Sequence, residues 1–360
     1  MPNHNQRWLE TILERSVPPE PMANCSRCPM CAPEGAPRGE GRNWYKSSAK
    51  CCTYWPALPN YTVGGILNDA SAEGQLSRHP LTAYATSVEA NPRGVNVPFD
   101  YQVSYLHYRD QFGQSGRLLC PYYTSEATGV EGSGGCQIWR HRPAVCMTFF
   151  CKISSGPLGQ RFWSEAKRLL LAIEERLPVW CAKELGIAPA GLLTPLSQPD
   201  RLSREPANRQ TSSTNPKPVP AESWGPWRNR EVEFFINCER LVASLSWPEV
   251  VAICGAEVGA LGSVVHSTSV EMLSQDMPAR MSLGPMQLLG TTPRGVMVST
   301  YRTTDPRELD RRLLACLLEV DNATAEEITN IAAQRYGISL DNALIRRLAE
   351  FGILRGSPGQ

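Results

Sequence analysis

The clustering of cysteines in the first part of the chain is the feature that most constrains its fold. Nine of the thirteen cysteines lie between residues 25 and 151. So many thiols within one segment are used either in disulfides or in metal binding. They form three groups: Cys25, Cys28 and Cys31; the adjacent pair Cys51 and Cys52; and the spread set Cys120, Cys136, Cys146 and Cys151.

The length and the odd number of cysteines favour metal over disulfides. A chain of 360 residues is long enough to form two or three hydrophobic cores, so cross-links are not needed for stability. Thirteen cysteines also fit complete pairing poorly. The N-terminus has neither a basic start before an apolar run nor a small-residue cleavage site, so we expect a cytoplasmic protein. In a reducing cytosol, clustered thiols more often bind metal or do redox chemistry.

The charge balance and the hydropathy pattern limit the partners. Lysine and arginine total 36 and aspartate and glutamate total 35, so no overall field attracts nucleic acid or an anionic membrane. No uncharged apolar segment reaches the length of about 18 residues typical of a transmembrane helix. We therefore expect no membrane span, and binding to nucleic acid would need a local basic patch.

The composition changes along the chain and predicts an α+β protein with much irregular structure. Its N-terminal domain is cysteine-rich and organised by metal, and its mainly helical C-terminal part ends in a winged-helix-like unit. The predicted segments are an N-terminal helix (1–20), a cysteine-cluster metal-binding domain (21–157), packing helices (158–193), a Pro- and Ser-rich linker or loop (194–226), a helical and hairpin region (227–300) and the winged-helix-like unit (301–360).

Local patterns predict several individual elements. Apolar residues at helical spacing predict a helix near Trp8 and Leu13, and a longer helix from Phe162 that ends at Pro178. The alternating residues 101–108 predict a strand. Ser246 and Glu249 form a capping box that opens a further helix.

The C-terminal residues predict a hairpin followed by three short helices. The hairpin pairs residues 286–289 with residues 296–300. The helices start at Asp305, Thr324 and Ser339, a pattern typical of a winged helix. Residues 301–360 carry eight arginines against nine acidic residues, which argues against DNA because phosphate binding needs uncompensated cations. The remaining hypotheses for this unit are recognition of a protein or peptide partner and a purely structural role.

The run C-x2-C-x2-C at Cys25, Cys28 and Cys31 places three thiolates on one short loop. This arrangement suits a tetrahedral zinc ion or three corners of an iron–sulfur cube. Ferredoxin runs continue with x3-Cys-Pro, whereas Ala32 and Pro33 follow here, so the fourth ligand must be remote. The C-x3-C-x2-C run of radical S-adenosylmethionine enzymes is absent, so a radical mechanism is not supported.

Residues 136–151 carry a family resemblance. The pattern Cys-x-Ile-Tyr-x-x-Arg-Pro-x-x-Cys-Arg-x-Phe is matched at six positions, by Cys136, Ile138, Arg142, Pro143, Cys146 and Phe149. Trp139 replaces its usual tyrosine, and Met147 replaces its frequent second arginine. With Cys51 and Cys52, this segment resembles the CxxCxxCC-type zinc- or iron-chelating cysteine-cluster (YkgJ-like) family over about residues 25–151. The family's compact C-x2-C-x2-CC is split here by nineteen residues after Cys31. Either that loop is an insertion after one extra cysteine, or Cys31 is additional to the shared site.

The donor type favours a 4Fe-4S iron–sulfur cluster, with zinc as the alternative, because thiolates without histidine partners suit both. The candidate ligands are all nine clustered cysteines. The basic residues Arg140 and Arg142 either compensate the negative charge of a cluster or dock an anionic ligand, and Arg142 is the candidate cofactor-binding residue. The alternative is an exposed basic turn. Cys181, Cys238, Cys254 and Cys316 lie in apolar helical patterns and are expected to act as small hydrophobes.

Two functions from different classes follow. The family includes the flagellin lysine N-methylase, so the resemblance implies modification of a protein or peptide by methyl transfer, with S-adenosylmethionine as a possible cofactor. The chain shows no Gly-rich loop for a methyl donor. The alternative is a non-catalytic zinc- or iron-binding protein whose C-terminal unit docks a partner. A third hypothesis, redox sensing with DNA binding, is weakened by the neutral charge.

Overall fold

The computed structural model describes residues 3–20, 28, 30–31, 45–71, 81–124, 134–199, 221–274 and 276–356. The fold combines helices and sheets, as the α+β prediction requires. The helices are α1 (His4–Leu13), α2 (Asn60–Asn68), α3 (Phe99–Tyr108), α4 (Ala144–Met147), α5 (Gly156–Glu184), α6 (Glu231–Ala243), α7 (Trp247–Cys254), α8 (Ala256–Leu273), α9 (Arg311–Leu318), α10 (Ala325–Tyr336) and α11 (Asn342–Glu350).

The strands are short and antiparallel. They are β1 (Leu58–Pro59), β2 (Ala90–Asn91), β3 (Gly94–Val95), β4 (Tyr123–Thr124), β5 (Gly135–Cys136), β6 (Met281–Leu283), β7 (Gln287–Thr291), β8 (Gly295–Ser299), β9 (Arg307–Asp310) and β10 (Leu354–Gly356). They form the sheets β1-β3-β2, β4-β5, β7-β8-β9 and β6-β10. The predicted hairpin is confirmed as β7 and β8, with Leu288 opposite Val298.

The largest hydrophobic core forms around the long helix α5. Its inner face is fully buried from Phe162 to Cys181, and it packs against α2, α6, α7 and α8. At its N-terminal end, the ring of Trp163 lies 4.5 Å from that of Phe150. The apolar stripe that predicted this helix is therefore the face that supports the cysteine-bearing segment.

The predicted end of this helix at Pro178 is wrong. Proline removes one backbone donor and crowds the preceding turn, which usually ends or kinks a helix. Here α5 continues to Glu184, with Pro178 inside it. Leu177 and Cys181 are fully buried on either side, and the carbonyl of Pro178 accepts a hydrogen bond from Asn60 Nδ2 at 2.9 Å. Tertiary packing thus offsets the lost hydrogen bond.

The strand predicted for residues 101–108 is also wrong, because these residues form α3. Pro98 precedes the helix and Asp100 lies in its first turn, where a carboxylate is favourable. Tyr101 and Tyr105 are four residues apart and so share one face. Their rings contact those of Trp55 and Tyr54 at 5.4 and 5.6 Å. The aromatic residues that suggested a strand therefore pack at helical spacing.

The N-terminal helix and the capping box are confirmed. Helix α1 buries Trp8, Leu9 and Leu13. It ends before the prolines because Glu14 takes a left-handed conformation, with φ 54°. The backbone N–H of Ser246 donates to the Glu249 carboxylate at 2.8 Å, and the two side chains form the predicted capping box.

A second hydrophobic core forms between the three-stranded sheet β7-β8-β9 and helices α9 to α11. The helix predicted to start at Asp305 is wrong, since residues 307–310 pair with β8 and α9 starts only at Arg311. Asp310 is its N-cap and accepts hydrogen bonds from the backbone of the first turn. Thr324 caps α10 as predicted, whereas Asp341 rather than Ser339 caps α11. The likeness of this unit to a winged helix stays a prediction.

In the part of the chain that the structure describes, no helix combines the length and apolar character needed to cross a membrane.

Gly64 allows the closest helix contact near the N-terminal core. A Cβ atom at this position would lie 1.9 Å from the carbonyl oxygen of Phe235 on α6. A backbone oxygen cannot move aside without shifting its helix. The glycine is therefore required by the contact between α2 and α6.

We expect Gly64→Ala to destabilise the protein by about 1–3 kcal/mol, the usual cost of overpacking a core. The free energy of unfolding from urea titration measures this effect. Gly116→Ala is the matched control, since a Cβ at Gly116 would meet no atom within 4 Å. Equal stability of the two variants would contradict the proposed steric role of Gly64.

Candidate metal centre

Seven cysteines line one cavity of about 560 Å³. They come from segments that are distant in the sequence, and the cavity lies between the irregular N-terminal region and helix α5. Among the described residues, the lining thiols belong to Cys28, Cys51, Cys52, Cys120, Cys136, Cys146 and Cys151. The structure therefore places seven of the nine candidate ligands around a common space.

Two of the nine candidate ligands, Cys25 and Cys31, are not among the described lining residues. Cys25 is outside the described residues. Cys31 does not line the cavity, but its thiol donates a hydrogen bond to Cys28, which does. All twelve cysteines that the structure describes are free thiols. Within the described ranges, no group of three or more His, Cys, Asp or Glu side chains is arranged to hold a single metal ion.

Backbone hydrogen bonds bring three of these cysteine segments together. The N–H of Cys120 donates to the carbonyl of Cys52 at 2.8 Å. Cys136 pairs with Tyr123 across β4 and β5, and the N–H of Gln137 donates to the carbonyl of Tyr122 at 2.8 Å. Segments separated by tens of residues are thus held in register by only a few hydrogen bonds.

Helix α4, which carries Cys146, is held by a residue that the sequence did not indicate. Glu174 on α5 is buried, and its Oε1 accepts hydrogen bonds from the N–H of Ala144 at 2.7 Å and from Asn5 Nδ2 at 3.2 Å. The carboxylate therefore satisfies a free donor in the first turn of α4. The sequence analysis did not single out Glu174 because the residues around it form the apolar stripe of α5. An acidic residue within an apolar stripe was the one sequence signal that could have identified it.

Burial keeps several of the cavity thiols protonated. It raises the pKa of Cys120 and Cys146 above the ordinary thiol value, and that of Cys151 to about 12. Metal binding requires thiolates. A metal at these sites would therefore release protons, and its affinity would rise with pH.

Two pairs of neighbouring cysteines interact through their thiols. The Cys31 thiol donates to Cys28, which lowers the pKa of Cys28 to about 6 and raises that of Cys31. In the same way, the Cys52 thiol donates to Cys51, lowering the pKa of Cys51. In each pair the acceptor thiol therefore loses its proton more readily than the donor thiol.

The cavity lining is strongly positive. Lys50, Arg142, Lys152, Lys167 and Arg302 line it, and no Asp or Glu among the described residues does. In a chain whose opposite charges almost cancel, this is a marked local excess. Lys50 is only 2% exposed, and its Nζ donates to the carbonyl of Gly134 at 2.6 Å.

Arg142, the candidate cofactor-binding residue, lies at the cavity wall. Its guanidinium stacks 3.4 Å from the ring centroid of Trp139, and its carbonyl accepts a hydrogen bond from Asn3 Nδ2. His141 instead turns towards Asp69, with 2.9 Å between Nε2 and the Asp69 carboxylate. His141 is not among the residues that line the cavity.

Aromatic side chains close part of the cavity. Of the aromatic residues close in sequence to the clustered cysteines, Tyr54, Trp139, Phe149 and Phe150 line it, whereas Trp55, Tyr122 and Tyr123 do not. Tyr45, Tyr105 and Phe112 complete the lining. Such rings exclude water from a metal centre and so help to set its potential.

The cysteines outside the cluster behave as predicted. Cys181, Cys238, Cys254 and Cys316 are buried in helices, each within one of the two hydrophobic cores. Cys181 lies 3.9 Å from the carbonyl oxygen of Cys238. These four side chains serve packing.

The residues around the cavity fit a thiolate-ligated metal group. Seven thiols line the cavity, and the charged side chains among the described lining residues are all cationic, a combination that suits an anionic iron–sulfur or zinc thiolate centre. A scan against protein-family models, a search of curated proteins and a search of solved structures found no match to this chain. The resemblance to the cysteine-cluster family thus stays a prediction.

The pKa of Glu174 makes a pH-dependent prediction. Burial raises it from 4.5 to about 7, against the opposing effect of its two hydrogen bonds. The folded state therefore favours the protonated carboxyl. The contribution of Glu174 to the free energy of unfolding is fully present below about pH 4.5 and is lost as the pH rises through about 7. A shift of this size corresponds to about 3 kcal/mol.

We expect Glu174→Gln to remove this pH dependence, because glutamine keeps an oxygen acceptor and cannot ionise. Relative to wild type, the variant should gain about 3 kcal/mol of unfolding free energy between about pH 4 and pH 8. Urea titrations across this range measure the difference. Glu175→Gln, at an exposed neighbouring position, is the control. If the difference in unfolding free energy between Glu174→Gln and wild type is the same at every pH, Glu174 does not ionise as a buried group.

Proposed function

We propose that this chain binds an iron–sulfur cluster, most simply a 4Fe-4S cluster, in the thiol-lined cavity. One observation carries the proposal: seven thiols from distant segments face one space that five cations and no described carboxylate also line. Cys181 and Cys316 lie wholly within apolar cores, whereas Cys120 belongs to the first core and also lines the cavity.

The donor chemistry supports iron–sulfur binding. Sulfur ligands without imidazole or carboxylate select soft metal centres and exclude hard cations such as Ca²⁺ and Mg²⁺. The ligands of a cluster of several atoms stand farther apart than the ligands of one ion. Thiols distributed around a cavity of about 560 Å³ suit the larger group better than a single zinc ion.

The cations that line the cavity also support binding of an iron–sulfur cluster. A cube held by four thiolates carries net negative charge, and a buried cation needs an opposite charge or a dense set of hydrogen bonds. Lys50 is buried close to Cys28, and its ammonium donates to the carbonyl of Gly134. Its positive charge would stabilise the thiolates of a bound cluster.

The ligand set is proposed from the nine clustered cysteines. If the chain is an enzyme, Cys25, Cys28, Cys51 and Cys52 would be the leading cluster ligands. Cys120, Cys136, Cys146 and Cys151 would complete a second set of four, so the thiols suffice for two clusters. Arg142 would then lie beside the bound group, since it lines the cavity together with Cys51 and Cys146.

We further propose that the protein modifies a protein or peptide in the cytoplasm. The support is the resemblance, which implies methyl transfer with S-adenosylmethionine as the donor. A bound cluster would supply an electron-transfer or Lewis-acid centre. The chain's own residues would hold it, exclude water through Phe149 and Phe150, and present the peptide through the C-terminal unit. The reducing conditions of the cytoplasm keep such thiols available.

We expect anaerobically purified protein to be brown, to contain iron and sulfide, and to lose its visible absorption on reduction with dithionite. Replacing Cys51 and Cys52 with serine should abolish iron retention, because two soft donors are removed at once. Cys316→Ser, in the second core, is the matched control and should keep its iron. A colourless wild-type protein with stoichiometric zinc would overturn the iron–sulfur proposal in favour of a non-catalytic zinc module.

We also expect S-adenosylmethionine to change the EPR spectrum of the reduced cluster if methyl transfer takes place beside it. S-adenosylhomocysteine should compete for the same site, and Arg142→Gln should weaken the effect. The control is Arg117→Gln, since Arg117 lies outside the cavity lining. If the EPR spectrum of the iron-loaded protein changes with neither compound, methyl transfer is refuted and cluster binding is unaffected.

A further inference from the structure

Cys151 lies in a segment that the C-terminal core holds on both sides. Arg302 Nη1 donates to the carbonyl of Phe150 at 2.7 Å, and Lys152 Nζ donates to the carbonyl of Thr304 at 2.8 Å. Arg347 Nη1 donates to the carbonyl of Ser154 at 2.9 Å. These contacts join positions that are more than 150 residues apart in sequence.

The carboxylate of Asp305 is at the centre of these contacts. Its side chain is fully buried. Its oxygens accept a hydrogen bond from the N–H of Ile153 at 3.2 Å and face Lys152 Nζ at 3.4 Å and Arg307 Nη2 at 3.0 Å. The Tyr301 hydroxyl also donates to it. A buried carboxylate is stable only with such partners, so the side chain and backbone that flank Cys151 are fixed together.

The same contacts form part of the cavity wall. Arg302 and Thr304 line the cavity together with Cys151 and Lys152. From the other side, the Cys151 thiol donates to the Tyr45 hydroxyl at 3.4 Å. The C-terminal unit therefore reaches the thiol-lined space itself, through the loop that leads into β9.

We propose that Asp305 is a positioning residue, which fixes Cys151 at the cavity wall and thereby couples the metal centre to the C-terminal unit. Its effect on the metal rests on the proposed cluster-binding function. Removing a residue that holds a metal ligand in place, without itself binding the metal, typically changes metal affinity by about 10–100-fold. Because a coupling free energy is reciprocal, a bound cluster would in turn hold the C-terminal unit against the cavity.

The first test needs no metal. In the metal-free full-length chain, Asp305→Asn should leave Lys152 without its counter-ion and free the segment around Cys151. Alkylation of Cys151 by iodoacetamide, followed by mass spectrometry, should become several-fold faster. Cys120, which is buried, is the internal control. Asp310→Asn is the matched variant, because Asp310 is an exposed N-cap on the same unit and asparagine caps equally well. An unchanged Cys151 rate would overturn the proposal.

The second test uses the iron-loaded chain. Asp305→Asn should lower iron affinity about 10–100-fold in competition with a chelator and alter the EPR signal of the reduced cluster. Since Asp305 acts through Cys151, the loss should largely vanish in a Cys151→Ser background. Equal losses in both backgrounds would show a general structural effect and overturn the proposal.

A third variant separates positioning from misfolding. Arg302→Gln removes the contact to the Phe150 carbonyl without leaving a charge buried, and it should also speed alkylation of Cys151. Thermal unfolding of each variant checks that the second core is intact. If Asp305→Asn loses that core, the Arg302→Gln result decides the proposal. A wild-type chain that takes up no iron would overturn the cluster function, and the alkylation rates would still decide the role of Asp305.

Discussion

Burial of one face of the long helix α5 is the interaction on which the cavity depends. The segments that carry the thiols have little regular structure, so their own hydrogen bonds cannot hold them in place. Helix α5 supplies a rigid surface: Trp163 packs on Phe150, Glu174 holds the first turn of α4, and Lys167 and Leu171 form part of the cavity wall. The positions of Cys146 and Cys151 thus follow from hydrophobic burial some distance away.

The charge around the cavity connects this fold to the proposed chemistry. Burial holds the cavity thiols in their neutral form because desolvation disfavours the thiolate, whereas the cations that line the cavity favour a negatively charged group there. A bound metal would replace the thiol protons, and the lining cations would stabilise the resulting thiolates. The same reasoning explains why the C-terminal unit matters. It provides Arg302 to the cavity and holds Lys152 through Asp305.

Local sequence signals predicted the elements whose stability is local. The helix at Trp8 and Leu13, the capping boxes at Ser246 and Thr324, and the β7-β8 hairpin all have their determinants within a few residues. The predictions were wrong where contacts between residues distant in sequence determine the secondary structure. Residues 101–108 have the composition of a strand but pack as a helix against Trp55, and α5 passes through Pro178 because burial on both sides holds it.

The sequence by itself indicated which cysteines are candidate metal ligands, because thiols clustered in a chain long enough to fold without disulfides more often bind metal or do redox chemistry. It also determined that Cys181, Cys238, Cys254 and Cys316 serve packing. Only the tertiary structure decided that Cys28 and Cys151 face the same cavity, that Glu174 supports Cys146, and that Asp305 is buried against Lys152 rather than capping a helix. The physical reason is that a spacing pattern records local geometry, whereas burial and charge pairing depend on segments that meet only in the folded chain.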